Sequence, residues 1–173
     1  MSSLDDAAER ATRGDASAFE EIVRATSAEL VRLSARMLGN VADAEDAVQE
    51  AYTRAYRALT SGQFDRRSRV RTWLYRIVIN ATIDAKRKRK RTAADELVDV
   101  GWEGGAAAEA TLALRELAEW LGDLPDDQRT ALVLKTVEGM SSAEIAEIME
   151  SSEGAVEQRL VRARTALRQR RDT

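Results

Sequence analysis

The chain of 173 residues lacks both cysteine and histidine. Disulfides, thiolate nucleophiles, imidazole bases and nearly all zinc or haem chemistry are therefore excluded, and carboxylates are the remaining candidate catalysts. Paired carboxylates without histidine, cysteine or a phosphate-binding loop form no assembled active site. We expect a protein that is not an enzyme and that needs no cofactor or metal.

Long apolar runs are also missing, and aromatic residues make up 5% of the chain. No run approaches the length of a membrane span, and the N-terminal sequence MSSLDDAAER has acids where a signal peptide needs an apolar segment. We expect a cytoplasmic protein without membrane insertion of its own. One proline, nine glycines and abundant alanine, leucine, glutamate and arginine favour an all-α fold.

The net charge of −3 hides a segregation of charge along the chain. Residues 1–92 hold 18 basic and 13 acidic side chains, residues 93–112 hold five acids and no base, and residues 113–173 hold nine basic and twelve acidic side chains. A basic amino-terminal part suits a polyanionic partner, although the total charge does not indicate one.

The densest cationic stretch is residues 64–91, FDRRSRVRTWLYRIVINATIDAKRKRKR. Its apolar residues recur at spacings of three and four and so share one face of a predicted helix: Val70, Leu74, Ile77, Val78 and Ala81. The other faces carry arginines and Asn80, and the helix continues into residues 86–91, six cations without an acid. Such a run repels itself unless it faces water or a polyanion.

Phe64 precedes this helix in a loop without an apolar neighbour for four residues on either side. An aromatic ring placed there can stack on an unpaired base, and arginine planes can stack while contacting phosphate. Trp73 is open to two interpretations, a core residue or a base platform. The basic end of the helix is either a solvated face or a phosphate contact.

Three helices are predicted before this stretch. The first runs from Leu4 to Arg13 and is closed by Gly14, the second is capped by Asp15 and runs to about Leu38, and Asp43 opens the third. The third helix has a regular apolar stripe, composed of Ala44, Ala47, Val48, Ala51, Tyr52, Ala55 and Leu59. Its opposite face is polar, as is ordinary for a solvated surface helix.

Residues 93–111 lack helical periodicity and concentrate glycine, alanine and acid, which predicts a flexible acidic linker between domains at 1–92 and 112–173. Beyond it we predict a helix closed by Gly122 and another with Pro125 in its first turn and Gly139 at its end. The apolar residues of the first of these are Leu112, Leu114, Leu117, Ala118 and Leu121.

A capping box at Ser141 and Glu144 opens a short helix, and a long helix follows from about Glu153 to Arg170. This order is typical of a helix-turn-helix, although unrelated αα-hairpins share it. The inward positions of the long helix are Val156, Leu160, Ala163 and Leu167. The outward arginines are Arg159, Arg162, Arg164, Arg168, Arg170 and Arg171.

Taken together, three stretches resemble one family, the extracytoplasmic-function (ECF, group IV) sigma factors of the sigma-70 family. These stretches are GDASAFEEIV; DAEDAVQEAYTRAYRAL joined to RVRTWLYRIVINATIDAKRKRKR; and LPDDQRTALVLKTVEGMSSAEIAEIMESSEGAVEQRLVRARTALRQRR. The resemblance implies an all-α protein with a sigma region 2-like bundle and a region 4-like helix-turn-helix joined by the linker. It also implies a subunit that directs bacterial core RNA polymerase to promoter DNA and helps to melt the −10 element.

The resemblance implies three groups of binding residues and, as a further partner, an anti-sigma factor. The core polymerase contacts are Asp43, Asp46, Gln49, Glu50 and Arg54. The −10 contacts are Phe64, Asp65, Arg66, Arg67, Ser68, Arg71, Trp73, Arg76, Asn80, Lys86, Arg87 and Lys88. The −35 contacts are Ser152, Ala155, Glu157, Gln158, Arg159 and Arg162.

The sequence departs from the family pattern in the turn and in the long helix that follows it. Glu150 and Ser151 stand in the turn where the family usually has glycine and then an apolar residue, and a left-handed backbone at Glu150 would cost roughly 1 kcal/mol. Glu157 stands where lysine or arginine is usual; a glutamate repels phosphate but accepts a hydrogen bond from a cytosine amino group. We therefore expect either an unusual −35 preference or weak DNA binding by this domain that depends on a protein partner.

Two other functions compete with that of a sigma factor. One is a free-standing helix-turn-helix regulator that binds duplex DNA without polymerase, which the acidic linker and the polar face of the third helix disfavour. The other is a sigma-like decoy that occupies a protein partner through its acidic second domain.

Overall fold

The computed structural model describes residues 3–64, 67–93 and 120–171. The regular elements in these ranges are helices: α1 (Ser3–Thr12), α2 (Ala16–Leu38), α3 (Val41–Thr60), α4 (Val70–Ala93), α5 (Asp126–Thr136), α6 (Ser142–Ile148) and α7 (Glu153–Arg171). The predicted all-α class is confirmed. The chain divides into two compact units, the first centred on α1–α4 and the second on α5–α7.

The core of the first unit forms where α1, α3 and α4 contribute apolar faces around α2. All seven residues of the predicted α3 stripe are buried, and α2 adds Ile22, Leu30 and Leu33, each at most 1% exposed. The predicted apolar face of α4 is buried except for Ile77, which is half-buried. Tyr75 and Ile79 are buried as well, so α4 is enclosed over a wider face than its spacing indicated.

The turns before α2 and α3 fix where these helices begin. Asp15 caps α2 by accepting a hydrogen bond from the Ala18 amide at 3.2 Å, as predicted. The prediction that Asp43 opens α3 is wrong, because Asn40 is the cap: its Oδ1 accepts from the Asp43 amide at 2.8 Å. Asp43 instead lies in the first turn, where its carboxylate accepts a hydrogen bond from the Asn40 side chain and interacts favourably with the positive end of the helix dipole.

Two buried hydroxyl pairs connect α2 to its neighbours. Thr26 and Tyr52 join α2 to α3 through a hydroxyl contact of 2.7 Å, and Ser34 and Thr82 join α2 to α4 at 2.9 Å. Thr26 donates its own proton to the Ile22 carbonyl, so the Tyr52 hydroxyl is the donor in their contact. Burial is the main cause that raises the pKa of Tyr52.

Residues 120–123 of the second unit are helical. The prediction that Gly122 closes this helix is wrong, because Gly122 has helical backbone and is not among the residues with positive φ. Pro125 occupies the cap position before α5 instead of its first turn. The prediction that α5 continues to Gly139 is also wrong: α5 ends at Thr136, and Gly139, with φ +67°, lies in the turn that follows.

Arg129 is 3% exposed although it carries a charge. Its Nε donates a hydrogen bond of 2.5 Å to the Leu121 carbonyl, which satisfies one acceptor at the end of the preceding helix. Burial lowers the pKa of Arg129. The sequence pattern gave no indication of this contact.

The predicted linker and the predicted helix from Leu112 lie outside the described residues, apart from Ala93 at the end of α4 and residues 120–121. In the part of the chain that is described, no helix is both long and apolar enough to cross a membrane.

We expect Tyr52→Phe to lower the free energy of unfolding by about 1 kcal/mol, because Thr26 loses its buried hydrogen-bond donor. Urea denaturation of the full chain measures this change. Tyr56→Phe is the matched control, since Tyr56 is 40% exposed and also lies on α3. Equal losses in the two variants would contradict the assignment.

Candidate functional site

The polar face of α3 lies opposite its buried stripe. Asp46, Gln49 and Glu50 are exposed on it. Arg54 donates to Glu50 at 2.9 Å and to Asp84 on α4 at 3.1 Å, and these hydrogen bonds, first that with Glu50, raise the pKa of Arg54. Because two carboxylates balance the Arg54 guanidinium, this part of the face exposes acid and amide groups.

Phe64 and Trp73 form one aromatic pair at the start of α4. Their ring centroids are 4.7 Å apart and the rings are tilted by 47°, and both residues are half-buried. The apolar neighbour that Phe64 lacks in its own loop thus comes from the helix. Arg67 is exposed and Ser68 is half-buried, while the predicted contacts Asp65 and Arg66 lie outside the described residues.

Arg71 is oriented by two residues that the sequence did not single out. Its Nη2 donates to Glu29 Oε1 at 2.7 Å, and the Tyr75 hydroxyl donates to the same oxygen. The guanidinium lies 5.9 Å from the centre of the Tyr75 ring, within cation–π range. The hydrogen bond with Glu29 is the main cause that raises the pKa of Arg71.

A sequence signal existed for only one of these partners. Tyr75 follows Arg71 by four residues, so the two side chains are neighbours on the surface of α4. Glu29 lies on α2, 42 residues before Arg71, and no local spacing identifies such a pair.

Along α4 the other predicted contacts differ in exposure. Asn80, Arg87 and Lys88 are exposed, whereas Arg76 and Lys86 are half-buried. The cationic run 86–91 is helical throughout, so its side chains are spaced along a rigid element.

The turn between α6 and α7 contains a residue with left-handed backbone, at the position where the family pattern has glycine. Glu150 has φ +49°, the sole positive value at a non-glycine residue in the part of the chain that is described. Ser152 caps α7 by accepting from the Ala155 amide at 3.2 Å. The predicted capping box of α6 is confirmed, since Ser141 Oγ accepts from the Glu144 amide and Glu144 accepts from the Ser141 amide.

The expectation that Arg159 points outward is wrong. Its Nε donates to Asp127 on α5 at 2.9 Å, its Nη1 donates to Ser151 Oγ at 3.0 Å, and its side chain is 25% exposed. Arg159 therefore joins α5, the turn and α7. This bond to Ser151 gives the turn a polar anchor in the position where the family pattern has an apolar one.

Glu157 is exposed on α7 and accepts a hydrogen bond from the Ser142 hydroxyl on α6. Ser142 Oγ in turn accepts from Lys135 Nζ at 3.4 Å. Gln158 and Arg162 are exposed, and Ala155 is half-buried. The exposed surface of α7 thus combines the Glu157 carboxylate, which is hydrogen-bonded to Ser142, with the Gln158 amide and the Arg162 guanidinium.

We expect Glu150→Gly to be more stable than Glu150→Ala by about 1 kcal/mol, because only the glycine variant removes Cβ from a left-handed residue. Both variants lose the same carboxylate, so their difference isolates the backbone term. Thermal denaturation of the two variants provides the measurement. An alanine variant as stable as the glycine variant would show that the turn is unstrained.

Two family models match the chain, Sigma-70 region 2 over residues 22–92 and Sigma-70, region 4 over residues 114–167. Among curated proteins, the ECF RNA polymerase sigma factor SigW of Bacillus subtilis (strain 168) is 39% identical over 170 aligned residues, which cover 90% of each chain.

Solved structures of other proteins are also similar to this chain over most of its length. The structure of CnrH in complex with the cytosolic domain of CnrY has a TM-score of 0.73 and 29% identity, and covers 99% of this chain and 98% of that one. The sigma factor RpoE from Bartonella quintana, in complex with the anti-sigma factor NepR, has a TM-score of 0.64 and 26% identity, and covers 87% and 94%. The two matching models, together with the identity to SigW, establish that this chain belongs to the ECF sigma factors of the sigma-70 family.

Proposed function

We propose that this sigma factor docks on core RNA polymerase through α3, opens the −10 element with the loop and helix at 63–91, and contacts the −35 element with α7. The domains assigned to these tasks are 1–92 and 112–173, with 93–111 as the linker between them. The protein is a transcription initiation factor and not an enzyme, as its family membership implies.

The observation that carries this assignment is the division of surfaces in the first unit. One face of α3 is buried in the core, and the opposite face exposes Asp46, Gln49 and Glu50. The neighbouring α4 carries the Phe64–Trp73 pair at one end and the cationic run at the other. An acidic, amide-containing face suits a protein partner, whereas arginines with aromatic rings suit single-stranded DNA.

The energetics explain why both surfaces are needed. Unstacking and unpairing a base costs a few kcal/mol, whereas a stacking contact returns about 1–3 kcal/mol per base. A small domain with one aromatic pair gains too little from such contacts to hold several base pairs open by itself. We therefore infer that melting takes place only when α3 is docked on the much larger polymerase.

For the second unit, we assign the −35 contacts chiefly to Gln158 and Arg162. Both are exposed on α7, whereas Arg159 must give up or share its hydrogen bond with Asp127 to reach a phosphate. Glu157 remains a candidate acceptor for a cytosine amino group.

We further propose that the protein works in the cytoplasm under the control of an anti-sigma factor. The similar RpoE structure is a complex with the anti-sigma factor NepR, and CnrH is bound to the cytosolic domain of CnrY. Both likenesses support a protein partner for this chain, and the RpoE complex supports an anti-sigma factor in that role.

Run-off transcription with core RNA polymerase and genomic DNA tests the function as a whole. We expect new start sites that require the added protein, preceded by a common promoter sequence. A gel shift with duplex DNA alone separates the alternatives, since a free-standing regulator binds its site without polymerase. A protein that binds polymerase and initiates on no template would be a decoy.

We expect Glu50→Lys to weaken binding to core polymerase about tenfold, because it reverses a charge in the middle of the exposed face. Fluorescence titration of the labelled chain with core enzyme measures the affinity. Glu20→Lys makes the same charge change on the exposed surface of α2 and serves as the control. An affinity equal to that of the control variant would return this face to the solvated interpretation.

We expect Asn80→Ala to reduce transcription from a cognate promoter about tenfold, since a side-chain amide that reads a base contributes about 1–3 kcal/mol. Asn80 is exposed, so the fold should be unaffected. Core affinity is measured in parallel and should not change. Loss of core affinity by the same factor would remove Asn80 from the promoter surface.

A further inference from the structure

Neither Arg69 nor the first turn of α4 supplies a carboxylate to the start of the helix. The residue before it is Arg69, whose side chain has no acceptor atom, and the first turn of α4 contains no acid. The first amide groups of any helix have no partner within the helix itself. At this end of α4, a carboxylate from elsewhere in the fold accepts from the first amide.

The acceptor comes from α1, at the far end of the sequence. Asp5 Oδ1 accepts a hydrogen bond of 3.0 Å from the backbone amide of Val70, which lies 65 residues later. Asp5 is half-buried. The arginines at 67, 69 and 71 lie within three residues of Val70 in the sequence. A carboxylate at this position accepts the hydrogen bond of the Val70 amide and interacts favourably with the positive end of the helix dipole.

The position of Asp5 is set independently of α4. α1 packs on α2 and α3 through Ala7, Ala8 and Ala11, each at most 2% exposed. Arg10 also pairs with Asp15 and with Glu21 on α2. Because these contacts fix α1 against α2 and α3, the Asp5 carboxylate determines where α4 starts.

The residues closest to this start are those assigned to promoter melting. Phe64 lies six residues before Val70, Arg71 follows it directly, and Trp73 packs on the Phe64 ring one turn into the helix. A shift of the first turn of α4 would move all three side chains together.

We propose that Asp5 is a positioning residue for strand separation, and that α1 acts as a brace for the promoter-binding end of α4. This inference rests on the proposed function of the loop and helix at 63–91. The residues matched by the region 2 model begin at 22, so the brace comes from a part of the chain before that match.

The experiment compares Asp5→Ala, Asp5→Asn and Asp6→Ala in the full chain with core polymerase. Asp6 is also in the first turn of α1 but is exposed, so it controls for the loss of one acid there. The readouts are the rate of open-complex formation, followed by permanganate reactivity of −10 thymines, and the affinity for core polymerase. Both are measured well below the unfolding midpoint of each variant.

We expect Asp5→Ala to slow promoter opening about fivefold while core affinity stays unchanged; fivefold is the factor that loss of an ordinary N-cap produces. Asp5→Asn should restore most of the rate, because its amide oxygen accepts from the same backbone group. Asp6→Ala should open the promoter at the original rate.

Three results would overturn the inference: an unchanged opening rate in Asp5→Ala, a matching loss of core affinity, or an equal loss in Asp6→Ala. The second result would indicate a contribution to folding alone. Failure of the proposed function is distinguishable, because the unsubstituted protein would then open no promoter with core polymerase.

Discussion

The first unit depends on the close approach of α2 and α3, which the small side chains of the α3 stripe permit. Ala44, Ala47, Ala51 and Ala55 are each at most 4% exposed, so the backbones lie close together with little apolar volume between them. Alanine also loses no side-chain entropy on folding, so the helix forms at low cost. The opposite face of α3 exposes Asp46, Gln49 and Glu50 to solvent.

The surface of the first unit carries opposite charges on α3 and α4. Carboxylates and amides occupy the outer face of α3, whereas guanidinium and ammonium groups are concentrated on α4. The bonds from Arg54 to Glu50 and Asp84 lie at the boundary between the two. Such pairs on a surface contribute little to stability. Their consequence is geometric, since they join α3 to α4 at the boundary between the acidic face and the basic face.

Local patterns predicted most of the helices and the buried faces, because each depends on residues within a few positions. The apolar stripe of α3, the cap at Asp15 and the capping box at Ser141 are of this kind. The start of α3 was misplaced by three residues because Asn40 and Asp43 are both good capping residues and only the backbone decides between them.

The contacts that the sequence did not predict join residues far apart in the chain. Glu29 with Arg71, and Arg159 with Asp127, are pairs between different helices, and helical spacing contains no information about such partners. Both pairs concern arginines that the resemblance to the family assigned to DNA. Charge identified the surface correctly as basic but did not reveal which cations are already held by a carboxylate.

The left-handed Glu150 has a consequence for the evolution of this protein. Every glutamate codon becomes a glycine codon by a single transition at its second base, so a residue free of backbone strain has always been within reach of one mutation. The presence of glutamate at φ +49° is therefore not explained by a lack of accessible mutations to glycine.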